Sequence, residues 1–237
     1  MIDYVSIAGS KTPLNLNSTF DIRHSTFDIR HSTFYILHST FYILHSSKDK
    51  ILINIAVVYF TKTDITGTLA KTIIKTVESQ KDVNVIEFKI EGPEIIEGRF
   101  VNDDIFLQLD KCAAIIFGTP TYMGGVSAQF KAFADATSEL WCSQKWAGKI
   151  AAGFTSGSAL NGDQTSTLQY LVTLSNQHGM YWVGLDSALG FNDKGLNRLG
   201  CQLGVVAQSA DGLLHKTDLK TAEYLAQRVV NLARQLK

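Results

Sequence analysis

ILINIAVVYFTKTDITGTLAKTIIKTV, residues 51–77, passes from one periodicity to another across a single loop. Ile51–Phe60 is a continuous apolar, β-rich run, the mark of a strand buried on both faces. Past residue 66 the apolar positions Leu69, Ile73, Ile74 and Val77 fall at helical spacing. The alternation continues down the chain. Val83–Ile90 predicts a second strand, Glu91–Val101 an irregular excursion, and Asp103–Leu109 a short helix. Cys112–Gly118 predicts a third strand, and Val126–Leu140 a helix with Phe130, Phe133 and Ala134 on one face. Lys149–Thr155 predicts a fourth strand, Gln164–Gln177 a helix, and Met180–Leu185 a fifth strand. A Gly-rich connection and a terminal helix from Thr217 to about Leu236 complete the pattern. Strands alternating with helices imply a parallel sheet covered on both faces. The expected fold is α/β, a three-layer doubly wound five-stranded parallel sheet.

Upstream the texture differs. Residues 18–44 repeat with a period of seven, as STFDIRH, STFDIRH, STFYILH and STFYIL. Such near-perfect short identity points to tandem duplication rather than a packed repeat architecture, whose units are longer. His24, His31, His38 and His45 recur at the same period, and on a helix they would share a face. No second ligand type accompanies them, and Ser-Thr-Phe-x-Ile favours extended structure, so no metal site is expected. Residues 1–49 read as a low-complexity, disordered extension and 50–237 as the folded domain, with the boundary near Ser47–Lys50.

The 237 residues and their 45% apolar content allow one sizeable packed domain beside that extension. Basic and acidic residues balance at 22 each, which argues against nucleic acid or an anionic membrane surface as partner. Cys112, Cys142 and Cys201 are odd in number and lack C-x-x-C spacing. Neither a disulfide framework nor a zinc site is indicated, and Cys112, opening an apolar run, reads as a buried thiol in a reducing compartment. MIDYVSIAGS lacks the pattern of a secretory signal, and no apolar stretch is long enough to span a membrane. A soluble, cytoplasmic protein is expected.

In doubly wound sheets, ligands bind beyond the carboxyl ends of the strands. That rule selects Thr61–Thr66, Thr119–Gly125 and Thr155–Gly162, all rich in Gly, Ser and Thr. The first has neither G-x-G-x-x-G nor G-x-x-x-x-G-K-[ST], so a dinucleotide turn and a P-loop are not supported. Thr61, Thr63 and Thr66 instead supply hydroxyls at a helix amino terminus, where unpaired N–H groups attract an anion such as phosphate. Simple N-capping by threonine is the alternative. In the second loop, Pro120 fixes the backbone while Gly124 and Gly125 permit positive φ or close approach of a ligand. Such a wall suits a planar heteroaromatic ring, although a strand-to-helix turn capped by Ser127 would explain part of it. The third loop carries Thr155, Ser156, Gly157 and Ser158, but its G-F-T-S-G spacing is not that of a serine hydrolase. His178 closes the fourth predicted helix, either as a C-terminal cap or as a group facing the ring. Trp141 reads equally as core or as pocket wall.

With these loops in view, the chain resembles the flavodoxin-like superfamily. It is most similar to the tryptophan-repressor-binding-protein type of NAD(P)H:quinone oxidoreductase and its FMN-reductase relatives. The resemblance runs from about Asn54 to Leu236 and rests on VVYFTKTDITGTLA, IIFGTPTYMGGVSAQFKAFADATSELW, GKIAAGFTSGSALNGDQTSTL and HGMYWVGL. It implies strand order 2-1-3-4-5 and an FMN cofactor. Thr61, Lys62, Thr63, Ile65 and Thr66 match the phosphate loop, Lys62 and Ile65 through backbone. Pro120, Thr121, Tyr122, Met123, Gly124 and Gly125 match the loop around ribityl and isoalloxazine, and Thr155, Ser156, Gly157 and Ser158 match the third loop. Trp141 and His178 match residues near the open face of the flavin, His178 as a polariser of bound substrate or flavin. Relatives of this kind assemble as homo-tetramers or dimers in which a neighbouring subunit completes the pocket. Two departures stand out. Asp64 occupies a position where such loops often carry Gly, and Tyr122-Met123 replaces an Arg-aromatic pair. The expected activity is FMN-dependent transfer of hydride from NADH or NADPH to a quinone or similar acceptor. An electron-carrying flavodoxin and a flavin-free interaction module are the rivals.

Overall fold

The computed structural model describes residues 52–187 and 195–236. The repeat, its histidines and the extension boundary lie outside these residues.

The first strand, β1 (Ile53–Tyr59), sends Ile53, Ile55, Val57 and Tyr59 to one face of the sheet and Ala56 and Val58 to the other. All six are buried, which is why the sequence shows an unbroken apolar run rather than an alternation. The following helix, α1 (Ile65–Glu78), buries Thr66, Leu69, Ala70, Ile73, Ile74 and Val77, a stripe at helical spacing. Next come β2 (Val83–Lys89), a 3-10 turn at Gly92–Glu94, and a small antiparallel pair, β3 (Ile95–Ile96) with β4 (Arg99–Phe100). The predicted irregular excursion thus carries its own short hairpin. Helix α2 (Asp104–Leu109) leads into β5 (Ala114–Tyr122), which turns back as β6 (Gly125–Val126).

The predicted single helix over 126–140 is two helices, α3 (Ala128–Ala136) and α4 (Ser138–Cys142). The break is at Thr137, whose hydroxyl donates back to the Ala134 carbonyl at 2.7 Å and meets His178 Nε2 at 2.8 Å. A hydroxyl bonded to the preceding turn competes with the helical ladder there. Strand β7 (Ile150–Gly157), helix α5 (Asp163–Gln177), β8 (Tyr181–Trp182), β9 (Val205–Gln208) and helix α6 (Lys216–Gln235) complete the described chain.

The parallel sheet has the order β2-β1-β5-β7 with β8 and β9 both beside β7, the expected 2-1-3-4-5 arrangement with one correction. The fifth position is shared. Tyr181–Trp182 pairs with Ile150–Ala151, and Val205–Gln208 pairs with Phe154–Gly157 further along the same strand. The predicted Gly-rich connection therefore contains the second half of the edge. Gly204 marks the return, because a methyl group on it would collide with the Gly153 carbonyl. Two cores flank the sheet. One lies under α1 and α6, the other under α2, α3 and α5, the latter with Phe100, Phe117, Phe130 and Phe133 in mutual edge or tilted contact. Cys112, Cys142 and Cys201 are free, and burial pushes the Cys112 thiol up to about 11. No helix among the described residues is long and apolar enough to cross a membrane.

Candidate functional site

Because β1, β5 and β7 run parallel, the segments that follow them emerge on one edge of the sheet. Hydroxyl contacts tie them together beneath the surface. Thr66 Oγ1 and Ser156 Oγ share a buried hydrogen bond of 2.8 Å, joining the first segment to the third. Thr155 donates to the Thr119 carbonyl at 2.7 Å. Its single proton being used, it accepts from Thr121 at 2.9 Å, and Thr121 in turn accepts from Thr167 at 2.9 Å. The hydroxyls of Thr66, Thr121, Thr155 and Ser156 thus lock the edge internally.

At the amino terminus of α1, Lys62 and Thr63 are exposed and Ile65 is half-buried. No side chain caps this terminus, and no acidic residue stands in its first turn. Threonine capping therefore does not account for the three threonines. Thr61 Oγ1 is buried beside the terminus and has no hydrogen-bond partner. Uncapped N–H groups together with a free hydroxyl are donors of the kind that can hold an oxyanion.

The second segment is a strand extension, not the loop its proline and glycines suggest. Thr119 and Pro120 continue β5 against Thr155 and Ser156 of β7. Thr121 and Tyr122 then pair with Val126 and Gly125. Met123 and Gly124 are the two turn residues, with φ of 48° and 76°. Positive φ at both positions is the turn that matches strand twist in a two-residue hairpin. The hairpin holds Tyr122 and Met123 out into solvent. Ser127 caps α3 as expected, accepting from Phe130 N at 3.3 Å.

On the third segment Ser158 is exposed. Gly157 lies so close to the Gln164 side chain that a methyl group there would collide with it. Sequence reasoning missed Gln164 and Ser209. Gln164 Nε2 donates to the Ala159 carbonyl at 2.8 Å, while its Oε1 is buried without a partner. Ser209 N donates to the Gly157 carbonyl at 3.0 Å, and Ser209 Oγ is also buried without a partner. The signal for Ser209 was the Val-Val-Ala run before it, which reads as a strand and makes Ser209 the first residue past its carboxyl end. Unsatisfied buried groups cost about 1–3 kcal/mol each. Three of them, Thr61 Oγ1, Gln164 Oε1 and Ser209 Oγ, stand at the carboxyl ends of β1, β7 and β9.

His178 and Trp141 lie elsewhere. Tyr181, three residues past His178, pairs with Ile150 at the first position of β7, and Gly148 N donates to the Gly179 carbonyl at 2.9 Å. His178 is therefore at the amino edge of the sheet, about 23 Å along β7 from the three segments at the usual rise per residue. It is buried, its Nε2 meets Thr137, and its ring lies 4.6 Å from that of Trp146. Trp141, 46% exposed, lines a hollow of about 270 Å³ at the same edge with His178 and Tyr170. One chain does not bring these two residues to the loops.

Burial moves the His178 imidazole below the ordinary histidine range. Unfolded, it titrates near roughly pH 6.5. Above that value both states are neutral and the stabilising contribution is complete. It is lost as pH falls from there through the folded value, because the unfolded chain binds the proton first. The thermal midpoint should therefore fall between about pH 7.5 and about pH 5, and His178→Phe should show a shallower decline in parallel melts.

The comparisons with known proteins agree with this geometry. The family model for NADPH-dependent FMN reductase matches residues 60–191. Flavodoxin FldP of Pseudomonas aeruginosa is 41% identical over 136 residues, covering 54% of this chain and 74% of its own. An NAD(P)H dehydrogenase (quinone) of Archaeoglobus fulgidus is 36% identical over 129 residues, covering 54% of this chain and 63% of that protein. The crystal structure of a flavodoxin, WrbA-like protein from Agrobacterium tumefaciens superposes with a TM-score of 0.61 at 40% identity, covering 78% of this chain and 99% of that one. With a family model spanning more than half its length and a parallel sheet of the order that family's flavodoxin-like relatives share, this chain belongs to the NADPH-dependent FMN reductase family.

Proposed function

We propose that the chain is an FMN-dependent oxidoreductase that passes hydride from NADH or NADPH to a quinone or similar acceptor. The observation that carries this reading is the uncapped amino terminus of α1 with the unpartnered Thr61 hydroxyl beside it. A phosphate monoester fits that donor set without any arginine or lysine in direct contact. Gln164 Oε1 and Ser209 Oγ offer further polar contacts past β7 and β9. FMN, when bound, supplies the hydride chemistry; the protein supplies binding, orientation and exclusion of side reactions. Lys62, Thr63 and Ile65 belong to the phosphate loop in this reading. The hairpin of Pro120 to Gly125 forms a wall, with Gly157 and Ser158 opposite. The quinone comes from the name of the archaeal relative.

Trp141 and His178 enter this picture only through a second copy, since their edge is remote from the loops of their own chain. A homo-dimer or homo-tetramer that sets the hollow of one copy against the hairpin of another would bring Trp141 to the site. His178, buried and engaged by Thr137, then acts through the backing of that hollow. The folded domain, residues 50–237, contains every residue named, and three free thiols fit a cytoplasmic location.

A flavodoxin-type carrier is the second reading, favoured by the name of the Pseudomonas relative. Balanced charge speaks against it, since net charge steers carriers to their partners. Oxidation of NADH and NADPH by the purified chain with FMN and benzoquinone separates the two. Turnover is expected with at least one nucleotide. No turnover by a chain that holds FMN leaves the carrier, and a colourless chain that fails to quench FMN fluorescence overturns both.

A further inference from the structure

Asp64 puts a carboxylate at the amino terminus that should receive a phosphate. Its backbone is left-handed, φ 62° and ψ 5°, the conformation glycine adopts freely. Aspartate is among the residues best suited to cap a helix, yet this side chain does not cap α1. It runs instead along the flank of the helix. Oδ1 rests against Gly67, where a methyl group would collide with it, and Oδ2 accepts from Lys71 Nζ at 3.1 Å. Gly67 and Lys71 are four residues apart and share that flank. Both charged groups are 63% exposed, so the pair adds little to stability. Its consequence is directional.

We propose that Lys71 and Gly67 are positioning residues for cofactor binding, holding the Asp64 carboxylate on the outer flank of α1. This rests on the FMN reading above. Released, and with its backbone relaxing from the left-handed to the extended region usual for an N-cap, the carboxylate would turn onto the first-turn N–H groups, occupying the donors meant for phosphate and repelling it. Gly67 leaves the space for the side chain to lie flat, and Lys71 anchors its far end. The device lets this chain keep a carboxylate where a bare backbone would otherwise serve.

Dissociation constants for FMN and for riboflavin, measured by flavin fluorescence on the full chain, test this. Lys71→Gln should weaken FMN roughly threefold, the reach of one exposed ion pair, and leave riboflavin, which lacks the phosphate, unchanged. Lys71→Arg should bind FMN as the unaltered chain does. In an Asp64→Gly background, Lys71→Gln should have no effect, because nothing remains to hold aside. An equal loss in that background overturns the proposal, since the lysine then acts on the phosphate directly. So does an equal loss for riboflavin, or an unchanged constant for Lys71→Gln in a chain that binds FMN. Failure of the unaltered chain to bind FMN overturns the FMN reading and this inference with it.

Discussion

Thr61→Val is expected to lower FMN affinity by about 10- to 100-fold while leaving the unliganded protein as stable as before or more so, by up to roughly 1 kcal/mol. The two effects separate because the Thr61 hydroxyl is buried and has no partner within the protein. Replacing it with a methyl group of similar shape removes an unsatisfied oxygen, which favours the empty fold. Bound phosphate, by contrast, loses a hydrogen bond to a charged group, worth about 1.5–3 kcal/mol. Thr66→Val should behave in the opposite sense. Its hydroxyl is already paired with Ser156 at 2.8 Å, so the substitution strands the Ser156 hydroxyl and destabilises the fold by about 1–3 kcal/mol. Fluorescence titration with FMN and a thermal melt of each variant check both statements. A Thr61→Val protein with unchanged affinity would remove Thr61 from the cradle.

The largest stability loss is expected at Gly118. This residue sits within β5, directly opposite Phe154 of β7, and the Phe154 ring folds across the space a side chain would occupy. Phe154 is fully buried in the core under α1 and α6. The ring therefore has nowhere to retreat. Gly118→Ala should cost about 3 kcal/mol through overpacking, a large part of the ordinary stability of a domain. Chemical denaturation should show the midpoint falling with an unchanged slope. Combining it with Phe154→Leu should recover part of the loss, as two neighbours sharing one volume are not additive.

Gly118 also shows why the sequence was legible in some places and not in others. The periodicity of 51–77 identified β1 and α1 because packing on both faces writes itself directly into residue type. Around 118–126 the same rule misleads. Glycine and proline usually end strands, but here Gly118 makes room for a ring and Pro120 lies in the strand extension toward the hairpin. The split fifth strand was invisible for a related reason. Met180–Leu185 reads as one strand, of which only Tyr181–Trp182 pairs, and nothing local announces that β9 returns to the same neighbour. The candidate site divides along similar lines. The loops could be located from the carboxyl-end rule, yet which hydroxyls remain free is a matter of three-dimensional pairing. Thr61 and Thr66 are the same residue type five positions apart, and only the contact with Ser156 distinguishes them. Where His178 and Trp141 stand relative to the loops could not be read from sequence, because helices that return across a parallel sheet deliver their ends to its other edge.

The divided edge has a consequence for how this protein behaves among its own copies. An outermost strand offers a row of unpaired amide and carbonyl groups to any extended chain that meets it. Here that row is cut into pieces of two and four residues, with a long excursion of chain leaving between them. The opposite border, β2, is a continuous seven residues, but its exposed positions are Asn84, Glu87 and Lys89. One border is too fragmented to template a foreign strand, and the other carries polar and charged side chains along its length. A sheet with an apolar interior is thereby kept from growing beyond its own chain.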